Sequence, residues 1–164
     1  MVRSLLRSLS PLRIDQDMLR TSILRHEPAP GGLPAHFDWL LEHAPGTGEE
    51  VRAVPTFRLH RRPDRLEVGE STELQRIDDH RGRWLGRDEH RTVRLDPPLG
   101  EATPVRTGEI RASLRRTDGV MESTVRWSQS GSDANYRIEP ITGDLLLVTR
   151  TSIPARHSSG ASAE

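Results

Sequence analysis

Four side chains able to do acid–base or metal chemistry stand in the first half of this sequence: His26, His36, Asp38 and His80. His36 and Asp38 are two residues apart. Side-chain direction repeats every second residue of an extended strand, so this imidazole and carboxylate leave the same face. His26 ends a preceding β-prone run, and a loop between antiparallel neighbours can bring it alongside. Two imidazoles and one carboxylate form a mixed nitrogen–oxygen ligand set. It suits Mn, Fe or Zn and leaves positions for water and a substrate oxygen. The spacing alone also admits a plainer reading, in which this face is solvated surface and Asp38 pairs with Arg25. His80 follows Asp78 and Asp79, which either orient its imidazole or serve an ordinary Asp-rich turn.

The elements that must position these residues read as strands. Residues 20–26 are a β-prone run, and 27–35 hold three Pro and two Gly and form a loop. In 36–42, Phe37, Trp39 and Leu41 alternate onto one face while His36, Asp38, Leu40 and Glu42 take the other. Residues 51–59 read as a strand with Pro55 at an edge or bulge. Alternation returns in 66–77, breaks at a tight polar loop over 78–82, and resumes at 91–95. Runs at 108–116, 121–128, 135–138 and 144–151 complete the set. Asp118-Gly119 marks a hairpin. About eight short strands between Gly/Pro turns, with no convincing long helix, predict an all-β, mainly antiparallel fold: a small closed or partly open barrel.

The chain has 164 residues, a one-domain length, with 33% apolar content. Residues 1–17 read as an extension, with Met18 as an alternative start. Residues 18–153 form the domain and 154–164 a disordered tail. Net charge is zero, so bulk electrostatics do not point to nucleic acid. All 24 basic residues are Arg, which fits either a GC-rich coding sequence or a preference for phosphate-binding guanidinium forks. The absence of cysteine excludes disulfides, thiolate zinc sites and thiol nucleophiles. No apolar run approaches the ~20 residues of a membrane span, and Leu5-Leu6 is too short for a signal-peptide core. A cytoplasmic monomer is expected. His43, His60 and His90 read as surface residues, and the three Trp as core or rim packing.

The order of segments carries more than any one spacing. His26 is followed by His36-Phe37-Asp38 and Leu41-Glu42, then by Thr56-Phe57-Arg58-Leu59. Next come Asp78-Asp79-His80 with Trp84, and then a Gly-bearing strand at Arg106-Thr107-Gly108-Glu109-Ile110. Over roughly residues 20–118 this resembles the 3′-phosphoesterase domain of bacterial DNA ligase D and its stand-alone relatives. The His-Phe-Asp-x-x-Leu-Glu block is the most specific part. The resemblance implies that His26, His36 and Asp38 bind a catalytic Mn²⁺. It also implies that His80 contacts the scissile phosphate or acts as general acid, and that Trp84 fills the position of a family aromatic. The family removes 3′-terminal phosphates, and some ribonucleotides, from DNA ends.

The sequence departs from that family in its phosphate clamp. Leu40 stands where the family usually has Arg, and no Lys is present to match the one after the third strand. An acidic-aromatic-Glu-Gly stretch is replaced by a region holding Arg87, Asp88 and Glu89. The loop from His26 to His36 is longer than in the ligase-fused domains. Arg58, Arg76 and Arg81 are candidates to compensate. The expected catalytic set is thus His80, Arg58 and Asp79, with Trp84, Arg76 and Arg81 as substrate contacts. Two function classes follow. One is a metal-dependent 3′-phosphoesterase acting on DNA or RNA-containing primer ends beside a separate ligase or polymerase. The other is a degenerate barrel that binds nucleic-acid ends or a protein partner.

Overall fold

Apolar–polar alternation between turn residues yields nine strands in this computed structural model, which describes residues 18–152. The expected extension at 1–17 and tail at 154–164 lie outside the described residues. The strands are β1 (Leu19–Glu27), β2 (His36–Leu41), β3 (Arg52–Leu59), β4 (Ser71–Arg81), β5 (Val93–Arg94), β6 (Glu101–Arg115), β7 (Met121–Trp127), β8 (Asp133–Thr142) and β9 (Leu145–Thr151). Their order is β1-β2-β3-β4-β9-β8-β7-β6, and β6 pairs back onto β1. An eight-stranded antiparallel barrel is therefore closed, and β5 is an extra strand on β6. Closure removes the exposed edges that an open sheet must protect.

Helical geometry among the described residues is confined to two 3₁₀ turns, Pro63–Arg65 and Gly82–Leu85. Among the described residues, no helix is long and apolar enough to cross a membrane. Several elements differ from the sequence expectation. The run expected over 66–77 becomes strand only at Ser71, because a turn closed by the Glu70 N–H donating to the Glu67 carbonyl at 2.9 Å precedes it, and the run at 91–95 is strand only over Val93–Arg94. The polar run Asp78-Asp79-His80 is not a loop, because β4 continues through it to Arg81. Its pairing with β3 passes through two irregularities, around Val54, where Pro55 cannot donate to the ladder. The strand expected over 108–116 begins at Glu101, because β1 pairs with that earlier stretch.

The barrel interior holds Ile23, Trp39, Leu59, Leu74, Val125, Ile138 and Val148, all essentially inaccessible to solvent. Trp39, Trp127 and Tyr136 pack at its centre with tilted and edge-on rings. Their polar ends are satisfied. Trp127 Nε1 donates to Tyr136 Oη at 2.9 Å, Tyr136 Oη donates to the Pro63 carbonyl at 2.9 Å, and Trp39 Nε1 donates to Thr21 Oγ1 at 2.9 Å. Burial accordingly pushes the Tyr136 hydroxyl up to about 12.

A second, smaller core lies on the outer face of β1–β3. Leu24, Leu40 and Val54 are covered there by Leu85, with Trp84 alongside. The Gly82–Leu85 turn can lie this close because its first residue has no side chain: a Cβ on Gly82 would run into the carbonyl oxygens of Thr47 and Gly48. The chain beyond the turn forms a strap leading to β5. Glu89 pins it by accepting from the Thr107 N–H at 2.8 Å, from Thr107 Oγ1 at 3.0 Å and from Ser128 Oγ.

Candidate metal centre

The register of three adjacent strands brings the chemistry together. His26 on β1 faces His36 on β2 directly, Leu24 faces Asp38, and Asp38 in turn faces Arg58 on β3. His80 on β4 lies beside Val54. The two imidazoles of His26 and His36 stack with centroids 4.9 Å apart. Asp38 is the hub. Its Oδ1 lies 3.5 Å from His36 Nε2 and 3.7 Å from Arg58 Nε, and its Oδ2 lies 3.4 Å from His80 Nε2.

The solvated-surface reading of this face fails, because His36 and Asp38 retain only 4% and 3% of their exposure. The pairing of Asp38 with Arg25 fails as well. Arg25 faces Phe37 on the other side of the sheet and bonds Glu27. Buried polar atoms ordinarily find partners, yet four atoms here have none: His26 Nδ1, His36 Nε2, Asp38 Oδ1 and Arg58 Nε. His36 Nδ1 lies 2.7 Å from the Pro34 carbonyl, which can only accept. Nδ1 therefore donates to this carbonyl, which fixes the ring with Nε2 directed toward Asp38, the usual orientation of a metal-ligating histidine. Burial, reinforced by neighbouring His36, lowers the His26 pKa; Asp38 opposes the shift while Arg58 and His80 add to it. His26 is then a neutral imidazole with a lone pair at neutral pH.

Two nitrogens and a carboxylate oxygen, buried and unpartnered, fit a divalent cation in donor chemistry. Among the described residues, however, no group of three or more His, Asp or Glu side chains is placed so that it could hold a metal ion as it stands, so these donors would have to close up to share one.

The expected clamp and acid–base residues divide. Arg58 and His80 reach the hub and keep part of their side chains in solvent, 29% and 23%, and so form the solvent-open side of the cluster. Asp79 does not orient His80. It binds Arg76, whose guanidinium lies over Phe57 on the opposite side of the sheet. His80 Nδ1 meets the Asp78 carbonyl instead, at 3.2 Å. Arg81 is drawn to Glu50 at 3.7 Å. Trp84 is not an open platform, since it packs on the second core and carries the Arg87 guanidinium 4.9 Å above its ring. Leu40 is fully buried in that core. The Pro34 carbonyl is a contributor that sequence reading missed, and a backbone acceptor leaves no residue-type signal. No protein-family model, curated protein or solved structure matches the chain.

Proposed function

We propose that this chain is a metal-dependent phosphoesterase that removes a 3′-phosphate or 3′-ribonucleotide from DNA ends during repair. The observation that carries this reading is that His26, His36 and Asp38 stand on adjacent strands with buried, unpartnered side-chain atoms, and that Arg58 and His80 flank Asp38 with part of their side chains in solvent. A bound Mn²⁺ would polarise a phosphoryl oxygen and lower the pKa of a water molecule. The chain's own residues would do the rest. Asp38, His26 and His36 hold the cation, and the Pro34 carbonyl fixes the His36 ring. Arg58 offers guanidinium N–H donors to phosphate oxygens as negative charge grows. His80 stands where it could protonate the leaving 3′-oxygen. Its partners would be DNA 3′ ends in the cytoplasm, with a separate ligase or polymerase using the 3′-hydroxyl.

One observation favours the degenerate binding module. Leu40 replaces the family arginine and is buried, while Arg76 and Arg81 are engaged by Asp79 and Glu50. The clamp is thereby reduced to Arg58. Incubation with a 3′-phosphorylated primer–template and Mn²⁺ separates the two. The enzyme predicts a 3′-hydroxyl product that disappears in Asp38→Ala. A primer that is bound but never converted would leave only the binding module.

A further inference from the structure

Arg58 stands between two functions. Its Nε lies 3.7 Å from Asp38 Oδ1, the same oxygen that faces His36 Nε2 at 3.5 Å. All three atoms are buried and lack hydrogen-bond partners. The guanidinium itself reaches toward solvent, with 29% of the side chain exposed. Its neighbours in sequence and space cannot share this role, because Arg25, Arg76 and Arg81 are held by Glu27, Asp79 and Glu50. Among the described residues, Arg58 is the one arginine within ion-pair reach of Asp38.

A fixed positive charge this close to a ligand oxygen competes with any cation that oxygen is asked to bind, since charges separated by less than 4 Å interact strongly even at a protein's effective dielectric. An anion bound to the guanidinium from the solvent side would cancel that repulsion. We infer that Arg58 couples the two ligands: it keeps the affinity of the site for a divalent cation low until a phosphate binds, so that metal and phosphate bind cooperatively. The inference rests on the metal-centre reading above and adds an order of occupation to it. Linkage makes the effect reciprocal, so the metal tightens phosphate by the same factor. Arg58 acts here as a positioning and charge-tuning residue, and the effect is visible in binding without turnover.

Free Mn²⁺ measured by electron paramagnetic resonance, in titrations with and without inorganic phosphate, tests this directly. Wild-type protein should bind one Mn²⁺, and phosphate should tighten it about fivefold or more, at the lower end of typical coupling. Arg58→Gln should bind Mn²⁺ more tightly than wild type without phosphate and show a smaller phosphate effect. Arg58→Lys, which keeps the charge, should stay near wild type. Circular dichroism checks that each variant is folded. A folded Arg58→Gln that binds Mn²⁺ as wild type does, or more weakly, overturns the coupling while leaving the metal centre standing. A wild-type Mn²⁺ affinity indifferent to phosphate does the same. No Mn²⁺ binding by wild type, or binding unchanged by His36→Ala, overturns the metal centre and the coupling with it.

Discussion

Buried charge sets the chemistry of single residues in this barrel. Asp38 keeps an oxygen without a hydrogen bond, whereas Glu42, on the same face of the chain and equally buried, is fully served. Its carboxylate accepts from the Arg20 N–H at 2.8 Å, from Arg20 Nε and Nη2 at 3.1 and 2.8 Å, and from the Thr47 N–H at 3.0 Å. Burial alone would raise Glu42, but these bonds outweigh it and hold the pKa below the ordinary 4.5. A carboxylate with a lowered folded-state pKa contributes stability that is fully present above its unfolded value. That contribution is lost as pH falls through the folded value. Glu42→Gln should therefore flatten the acid limb of the stability–pH curve below about pH 4.5, read by urea denaturation. An unchanged limb would assign acid lability elsewhere. Arg20→Met, which strips two charged hydrogen bonds from a buried carboxylate, should cost about 2–3 kcal/mol at neutral pH. The contrast between the two carboxylates is the reason to propose Asp38 as a ligand: one has its partners in the chain, and the other presents an unpartnered oxygen 3.5 Å from the unpartnered Nε2 of His36.

At the scale of elements, the Gly82–Leu85 turn and the strap that follows convert an outer sheet face into an interior. Without them, Leu24, Leu40 and Val54 would be apolar surface beside His26, His36 and Asp38. The turn touches β1 and β3, and Glu89 fastens the far end of the strap to Thr107 and Ser128. Gly82→Ala places a methyl group against two backbone carbonyls that cannot move independently of their loop. The turn should lift, at a cost of about 1–3 kcal/mol as for other overpacked sites. Exposure of Trp84 should follow, seen as stronger acrylamide quenching of its share of the fluorescence. A Gly82→Ala protein with wild-type stability and quenching would show that the turn does not cover this face tightly. β4 runs on through Asp78-Asp79-His80 because its pairing with β3 resumes beyond the irregularity, where His80 stands opposite Val54 and Arg81 opposite Arg52.

For the whole molecule, closure by β1–β6 pairing and the aromatic centre act together. Tyr136 ties β8 to the Pro63–Arg65 turn and to Trp127 through a single hydroxyl. That turn is further held by Asp64, which bonds Arg62 at 3.0 and 2.7 Å and Arg106 at 3.2 Å. Tyr136→Phe would leave the indole N–H of Trp127 buried without its partner and strip one of two donors from the Pro63 carbonyl, which keeps the Leu66 N–H at 3.2 Å, and should cost about 1–3 kcal/mol. Chemical denaturation gives the value. A loss of well under 1 kcal/mol would mean that water takes the place of the hydroxyl. Because Trp39 in this centre is flanked in sequence by Asp38 and Leu40, the interior packing of β2 also fixes the height at which Asp38 and His36 stand on its outer face.

The sequence by itself determined the local logic. Period-two alternation put Phe37, Trp39 and Leu41 on one face and His36, Asp38, Leu40 and Glu42 on the other. Gly/Pro punctuation separated the strands, Asp118-Gly119 marked a hairpin, and Pro55 marked an irregularity, because each of these depends on a residue's own backbone preferences or on its next-but-one neighbour. The tertiary structure decided what those faces meet. Burial of His36 and Asp38 depends on chain more than 40 residues away. The engagement of Asp79 with Arg76 rather than His80, and of Arg81 with Glu50, depends on which side of a bulged strand each side chain leaves. The role of the Pro34 carbonyl depends on loop geometry alone. Contacts of this kind are set by strand register and barrel closure, which are cooperative properties of the whole chain and have no signature in the spacing of any few residues.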